Sequence, residues 1–271
     1  MFSHVYLPSP PLKKMVSFFW HVEMDFKGHV HREFPTRIFQ GMAFSFSKIV
    51  EEQTWANTKV ELSSHGYLFG QAQQYREGSM QLSGVSELVG VAFTPTGLRT
   101  LTGMHMLGMT DNFVHANEIW GKEADLLIEQ MYHQPNPARK IKVLEAFLKQ
   151  KMSKPLRNAE ENRIDLVQHG VDFIRKHNGI TSLQEIADSL FVTPKTLERA
   201  FNENIGIGPK LFADIQRFEY AQKLLQVNNL PDLTQIALNC GYYDNSHMVR
   251  HFKKFAGKSP KNFIGNATPT F

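Results

Sequence analysis

Two arginines on matching motifs are the side chains with the clearest chemistry in this sequence. Arg199 stands in Leu197-Glu-Arg199-Ala-Phe201 and Arg250 in Met248-Val-Arg250-His-Phe252, 51 residues further on. A planar guanidinium makes two parallel hydrogen bonds, and guanine offers two acceptors, N7 and O6, on its major-groove edge. Read as a helix, the second motif puts Met248, Phe252 and Phe255 on one stripe for a core and Ser246, Arg250 and Lys253 on the opposite side. That face is small and polar at its N-terminal end, with a guanidinium one turn later, and it fits the major groove of DNA. Asn245 suits an adenine edge, and His247 a base edge or a phosphate. Lys253, Lys254 and Lys258 follow where backbone phosphates would run. In the first copy Lys195, Glu198, Arg199 and Asn202 share the free face, and Thr193 at its start is a phosphate candidate. Glu198 can accept from a cytosine amino group, but a carboxylate beside phosphates weakens binding. The second copy is therefore expected to contribute more affinity and the first more discrimination.

Other reactive residues carry less. His29 and His31 are two apart on a strand and face one way, with Glu33 on the same side, a spacing that invites metal. Cupin metal sites resemble this, but Pro35 stands where their glutamate is expected and no later histidine completes the set. No metal and no cofactor is expected. Cys240, the only cysteine, lies four residues after Ile236 on an apolar face and reads as a small core filler rather than a reactive thiol. Phe18, Phe19, Trp20, Phe44, Phe46, Phe69 and Phe93 either line a pocket for an effector or fill a core. No Ser-His-Asp order, glycine-rich phosphate loop or paired-carboxylate spacing rises above chance.

The elements that must hold the two arginines are written twice. Leu183-Gln-Glu-Ile-Ala187, then the Arg199 motif, then Gly206-Ile-Gly-Pro209-Lys-Leu-Phe212 recur as Leu233-Thr-Gln-Ile-Ala237, the Arg250 motif and Gly257-Lys-Ser-Pro260-Lys-Asn-Phe263. The first groups are offset by 50 and the later ones by 51, so the second turn holds one extra residue. Ser182, Thr193 with Pro194, and Asp232 are helix-start signals, and a long helix from Pro209 with Leu211, Ile215, Phe218, Ala221 and Leu225 inward joins the copies. An earlier helix is expected over 162–177.

The first hundred or so residues read differently, as short strands at 17–24, 42–50, 58–62, 67–69, 80–82 and 88–94, punctuated by Gly66, Gly70, Gly78, Gly84 and Gly90. Helices follow at 96–101, 119–134 and 138–152. The expected fold is α+β: an antiparallel barrel-like or sandwich-like domain with two or three helices over 1–152, and a linker at 153–161. An all-α domain of two helix-turn-helix units follows over 162–265, then a tail at 266–271.

At 271 residues there is room for two cores, and a net charge of +4 is weak evidence for a polyanion partner. Distribution is more telling: from Asn245 onward Arg250, Lys253, Lys254, Lys258 and Lys261 are met by no acidic residue. No leader and no membrane-length apolar run is evident, so the cytoplasm is the expected location.

The doubled unit, with its Ile-Ala, Arg-x-Phe and Gly-x-x-Pro groups, resembles the DNA-binding domain of the AraC/XylS family of transcription regulators over 162–263. The resemblance implies two recognition helices in adjacent major-groove segments, with Lys195, Glu198 and Arg199 in the first and Asn245, Ser246 and Arg250 in the second. One departure is Phe191, where the second copy has the turn glycine Gly241; it bears on the tightness of the first turn. Val91-Ala-Phe-Thr-Pro-Thr-Gly97 followed by Ile119-Trp-Gly121 is similar to the β-rich domain that precedes this one in a subgroup of such regulators. It implies sensing of a small molecule, or homodimerisation. Double-stranded promoter DNA is the expected partner, with RNA polymerase a second if the protein is an activator. The alternative is a cupin-like enzyme or small-molecule carrier with a helical appendage.

Overall fold

A computed structural model describes residues 2–46, 52–55, 58–61, 66–152, 158–227 and 232–265. Its strands are β1 (Phe2–Tyr6), β2 (Val16–Phe34), β3 (Gly41–Ser45), β4 (Glu52–Trp55), β5 (Thr58–Glu61), β6 (Gly66–Phe69), β7 (Arg76–Phe93) and β8 (Phe113–His115). All pairs are antiparallel, in the order β1-β2-β7-β3-β6-β8, with the β4–β5 hairpin attached to β7. β2 and β7 pair along nearly their whole length, so the expected separate strands at 17–24, 80–82 and 88–94 are pieces of one long antiparallel pair. Gly84 and Gly90 read as punctuation but lie inside β7. Gly90 is needed there for space: a Cβ would come within 2.3 Å of Cζ2 of Trp20. The expected strand at 42–50 ends at Ser45, and 47–50 lie outside the described residues.

Helices cover one face of the sheet. They are α1 (Gly97–Thr102), α2 (Ala116–Trp120), α3 (Lys122–Tyr132) and α4 (Pro137–Met152). The single helix expected at 119–134 is two, because Gly121 takes φ 54 and ends one before the other begins. Phe19, Met42, Phe44, Leu68, Val89, Val91 and Phe93 form the core beneath Leu127, Met131, Leu144 and Leu148.

The remaining helices are α5 (Asn158–Lys176), α6 (Leu183–Ser189), α7 (Pro194–Asn204), α8 (Pro209–Val227), α9 (Leu233–Asn239), α10 (Asn245–Ala256) and α11 (Pro260–Gly265). α5 opens within the expected 153–161 linker, four residues before its expected start at Asn162. One continuous core joins Val167, Val171 and Ile174 of α5, Leu197 and Phe201 of α7, Ile215 and Phe218 of α8, and Met248, Phe252 and Phe255 of α10. The two copies therefore share one core among the described residues.

Candidate nucleic-acid interface

Each copy builds its second helix from a capped start and a left-handed turn. The Thr193 hydroxyl accepts from the Thr196 N–H at 3.2 Å, and Pro194 fills the first helical position. Asp244 accepts from the His247 N–H at 2.6 Å, so α10 begins at Asn245 as expected, capped by the residue before it. Ser182 and Asp232 cap α6 and α9. Phe191 takes φ 55 and Gly241 φ 66, so the first turn adopts the same backbone despite its side chain, which is 97% exposed.

The faces divide as the spacing predicts. Leu197, Ala200 and Phe201 are buried while Lys195, Glu198 and Arg199 are exposed. On α10 Met248, Phe252 and Phe255 are buried while Ser246, Arg250, Lys253 and Lys254 are exposed. Asn245 and His247 are half-buried, and the His247 ring lies edge-on to Tyr242 (5.3 Å) and His251 (4.7 Å). His247 therefore reaches outward less than its position implied. Lys258 is paired across the domains: its Nζ lies 2.5 Å from Oε2 of Glu33 in the sheet domain. The Thr193 hydroxyl is likewise already engaged in its cap.

Sequence spacing did not single out Glu203 in this role. Its carboxylate takes Nε of Arg199 at 3.4 Å, one turn along α7, and Nη1 of Arg163 on α5 at 3.0 Å. It thus steers the Arg199 guanidinium toward the C-terminal end of its helix. A shallow cleft beside this face is lined by Lys195, Glu198, Arg199, Asn202 and Glu203, with His105 and Leu107 of the sheet domain opposite.

Beneath α10 lies a partly charged layer. Arg217 donates to the Gly179 carbonyl (Nη2, 2.9 Å), sits 5.7 Å from the Tyr242 ring centre and neighbours Asp214. Burial pushes the His251 imidazole down to about 4, helped by the nearby His247, Arg217, Lys254 and Arg250 charges. Burial also pushes the Cys240 thiol up to about 11, which suits a packed filler.

The aromatic candidates in the sheet domain separate by face. Phe44 and Phe93 are core, and Phe46 packs at the edge of that core under Nζ of Lys140 (4.2 Å). On the other face the register makes two rows, Phe18–Ala92–Gly41–Phe69–Phe113 and Trp20–Gly90–Ala43–Tyr67–His115. Their middle members are small and their ends aromatic, so Trp20 and Phe69 fold over glycine. Phe39, from the loop before β3, joins them at 6.4 Å from Phe18 and 5.3 Å from Phe69. The side chains of His29 and His31 lie outside the described residues, and Glu33 turns to Lys258.

Residues 186–266 match a family described as a helix-turn-helix domain, and residues 4–115 match a domain of unknown function, DUF6597. The HTH-type transcriptional activator RhaS of Escherichia fergusonii is 27% identical over 107 residues, 39% of this chain and 38% of its own. The arabinose operon regulatory protein of Escherichia coli K12 is 28% identical over 127 residues, 45% of this chain and 42% of its own. The matched stretch thus spans about two fifths of these relatives. Wild-type ToxT of Vibrio cholerae strain SCE256, solved with an unsaturated fatty acid bound, superposes with TM-score 0.50 at 14% identity. That superposition covers 93% of this chain and 98% of ToxT, and the likeness is one of fold.

Proposed function

The C-terminal part of this chain is a helix-turn-helix domain of the AraC type, and from that premise we propose that the protein is a sequence-specific regulator of transcription. The observation that carries the proposal is the pair of capped helices, α7 and α10, packed on one core with Arg199 and Arg250 exposed opposite their buried stripes. A helix of this kind fills the major groove, and its N-terminal half meets base edges. Arg250 and Ser246 read bases in one groove segment, and Lys195, Glu198 and Arg199 read them in the next. Lys253 and Lys254 hold phosphates.

The sheet domain regulates. Its aromatic face around Phe18, Trp20, Phe39 and Phe69 suits an apolar or aromatic small molecule. ToxT carries a fatty acid in its solved structure; for this chain the ligand class rests on the aromatic rows themselves. Dimerisation through this domain and, for an activator, contact with RNA polymerase belong to the same reading.

Selection of bound duplexes from a random-sequence pool with the full chain tests the proposal. A two-part consensus whose parts are about one helical turn apart is expected. Binding without any enriched sequence would reject it.

A further inference from the structure

The loop between β2 and β3 alternates its attachments with a period of two. Thr36 donates its backbone N–H to the Phe255 carbonyl in the last turn of α10 at 2.7 Å. Ile38 donates to Oε1 of Glu219 on α8 at 3.1 Å, and its side chain packs on the helical domain's core. Gln40 donates from Nε2 to the Ile205 carbonyl, just past α7, at 2.7 Å. The backbone of the intervening residues is held by the sheet domain, while the Arg37 charge lies by Glu219. The Gln71 amide donates to the Arg37 carbonyl at 2.5 Å and accepts from the Phe39 N–H at 3.1 Å. The Phe39 ring belongs to the aromatic face.

The two ends of the loop are buried. Thr36, Gln40 and Gln71 are 1%, 2% and 0% exposed, so each bond is costly to break. Burial pushes the Glu219 carboxyl up, opposed by the Ile38 N–H and the Arg37 charge. Parallel contacts brace the same helix ends. Tyr75 donates its N–H to the Lys254 carbonyl at 2.9 Å, and the Thr110 hydroxyl donates to the Gly206 carbonyl.

We propose that residues 36–40 are a coupling strap, in which Thr36, Ile38 and Gln40 are positioning residues that tie the ends of both recognition helices to Phe39 on the aromatic face. A helix end whose carbonyls are capped from another domain is placed by that domain. Displacing Phe39 slackens the strap at Ile205 and at Phe255, so each helix end shifts by its own attachment and the spacing at which α7 and α10 meet DNA changes. The effector role of the strap rests on the regulator reading above; the mechanical link does not.

Amide hydrogen exchange on the full chain separates the two. Phe39→Ala touches neither helix, yet exchange at Gly206 and Gly257 is expected to rise together by about tenfold, with Val171 in α5 unchanged. Gln40→Met keeps volume and removes one bond at Ile205; it should loosen Gly257 as well as Gly206. A rise at all three amides, or at Gly206 alone, overturns the strap. In the random-pool selection Phe39→Ala should keep the same bases in each part but admit spacings one base pair apart, a change that general destabilisation does not produce. An unchanged single spacing counts against the proposal. If the wild type enriches nothing, the regulator reading falls while the exchange result still decides the strap.

Discussion

At the scale of single residues, chemistry divides between exposed guanidiniums and a half-buried imidazole. Replacing Arg250 by Ala should cost about 1–3 kcal/mol on the selected site and relax choice at one position, measured by competition titration. Equal weakening on every sequence would make it a phosphate contact. Arg199 differs because Glu203 holds it. Glu203→Gln should free the guanidinium and change base preference in the first part of the site alone, read by repeating the selection. His251 gives a pH signature of stability. Its folded value of about 4 lies below the ordinary 6.5, so between those values the unfolded chain binds the extra proton. Stability contributed by the neutral ring is complete above pH 6.5 and is lost as pH falls toward 4. The urea midpoint should therefore drop across that window, and His251→Leu should flatten the drop; an unaltered acid slope in the variant would assign it to other groups.

At the scale of elements, the helices stand on their starts and turns. Asp244→Ala removes the acceptor for the His247 N–H and should cost about 1 kcal/mol by denaturant unfolding, as N-cap losses do. Phe191→Gly should go the other way. A phenylalanine at φ 55 carries strain that glycine avoids, and at 97% exposure no core contact is lost, so a gain of about 0.5–1 kcal/mol is expected. A loss would mean that the Phe191 ring makes contacts in solution. These elements were legible because caps, prolines and 3.6-residue spacing are local: Ser182, Thr193 and Asp232 cap as expected. The sheet was less so. Gly90 read as a turn because sequence shows a glycine's freedom but not the Trp20 ring that needs its space. The sorting of Phe18 and Trp20 from Phe44 and Phe93 follows from register, which pairs residues tens of positions apart. Glu203 was visible as a charge, but its partner Arg163 lies on another helix.

At the scale of the whole molecule, the two domains share charge that either half alone would present to DNA. Lys253 and Lys258 look alike in sequence, five residues apart in a basic run. The fold parts them: Lys253 is exposed on α10, whereas Lys258 is paired with Glu33, 225 residues away. Each phosphate contact releases counterions, so its removal lowers the slope of log affinity against log salt by about 1. Lys253→Ala should show that change with little effect on the melting temperature. Lys258→Ala should leave the slope unaltered and act through the domain seam, loosening Gly257, which lies against the Tyr75 ring. Glu33→Ala would release the Lys258 ammonium and steepen the slope, because a cation freed beside α10 joins the phosphate set. Titrations at four salt concentrations with the three variants decide the matter. Equal slope losses from Lys253→Ala and Lys258→Ala would mean that DNA wins Lys258 from Glu33, and that the seam opens when the protein binds.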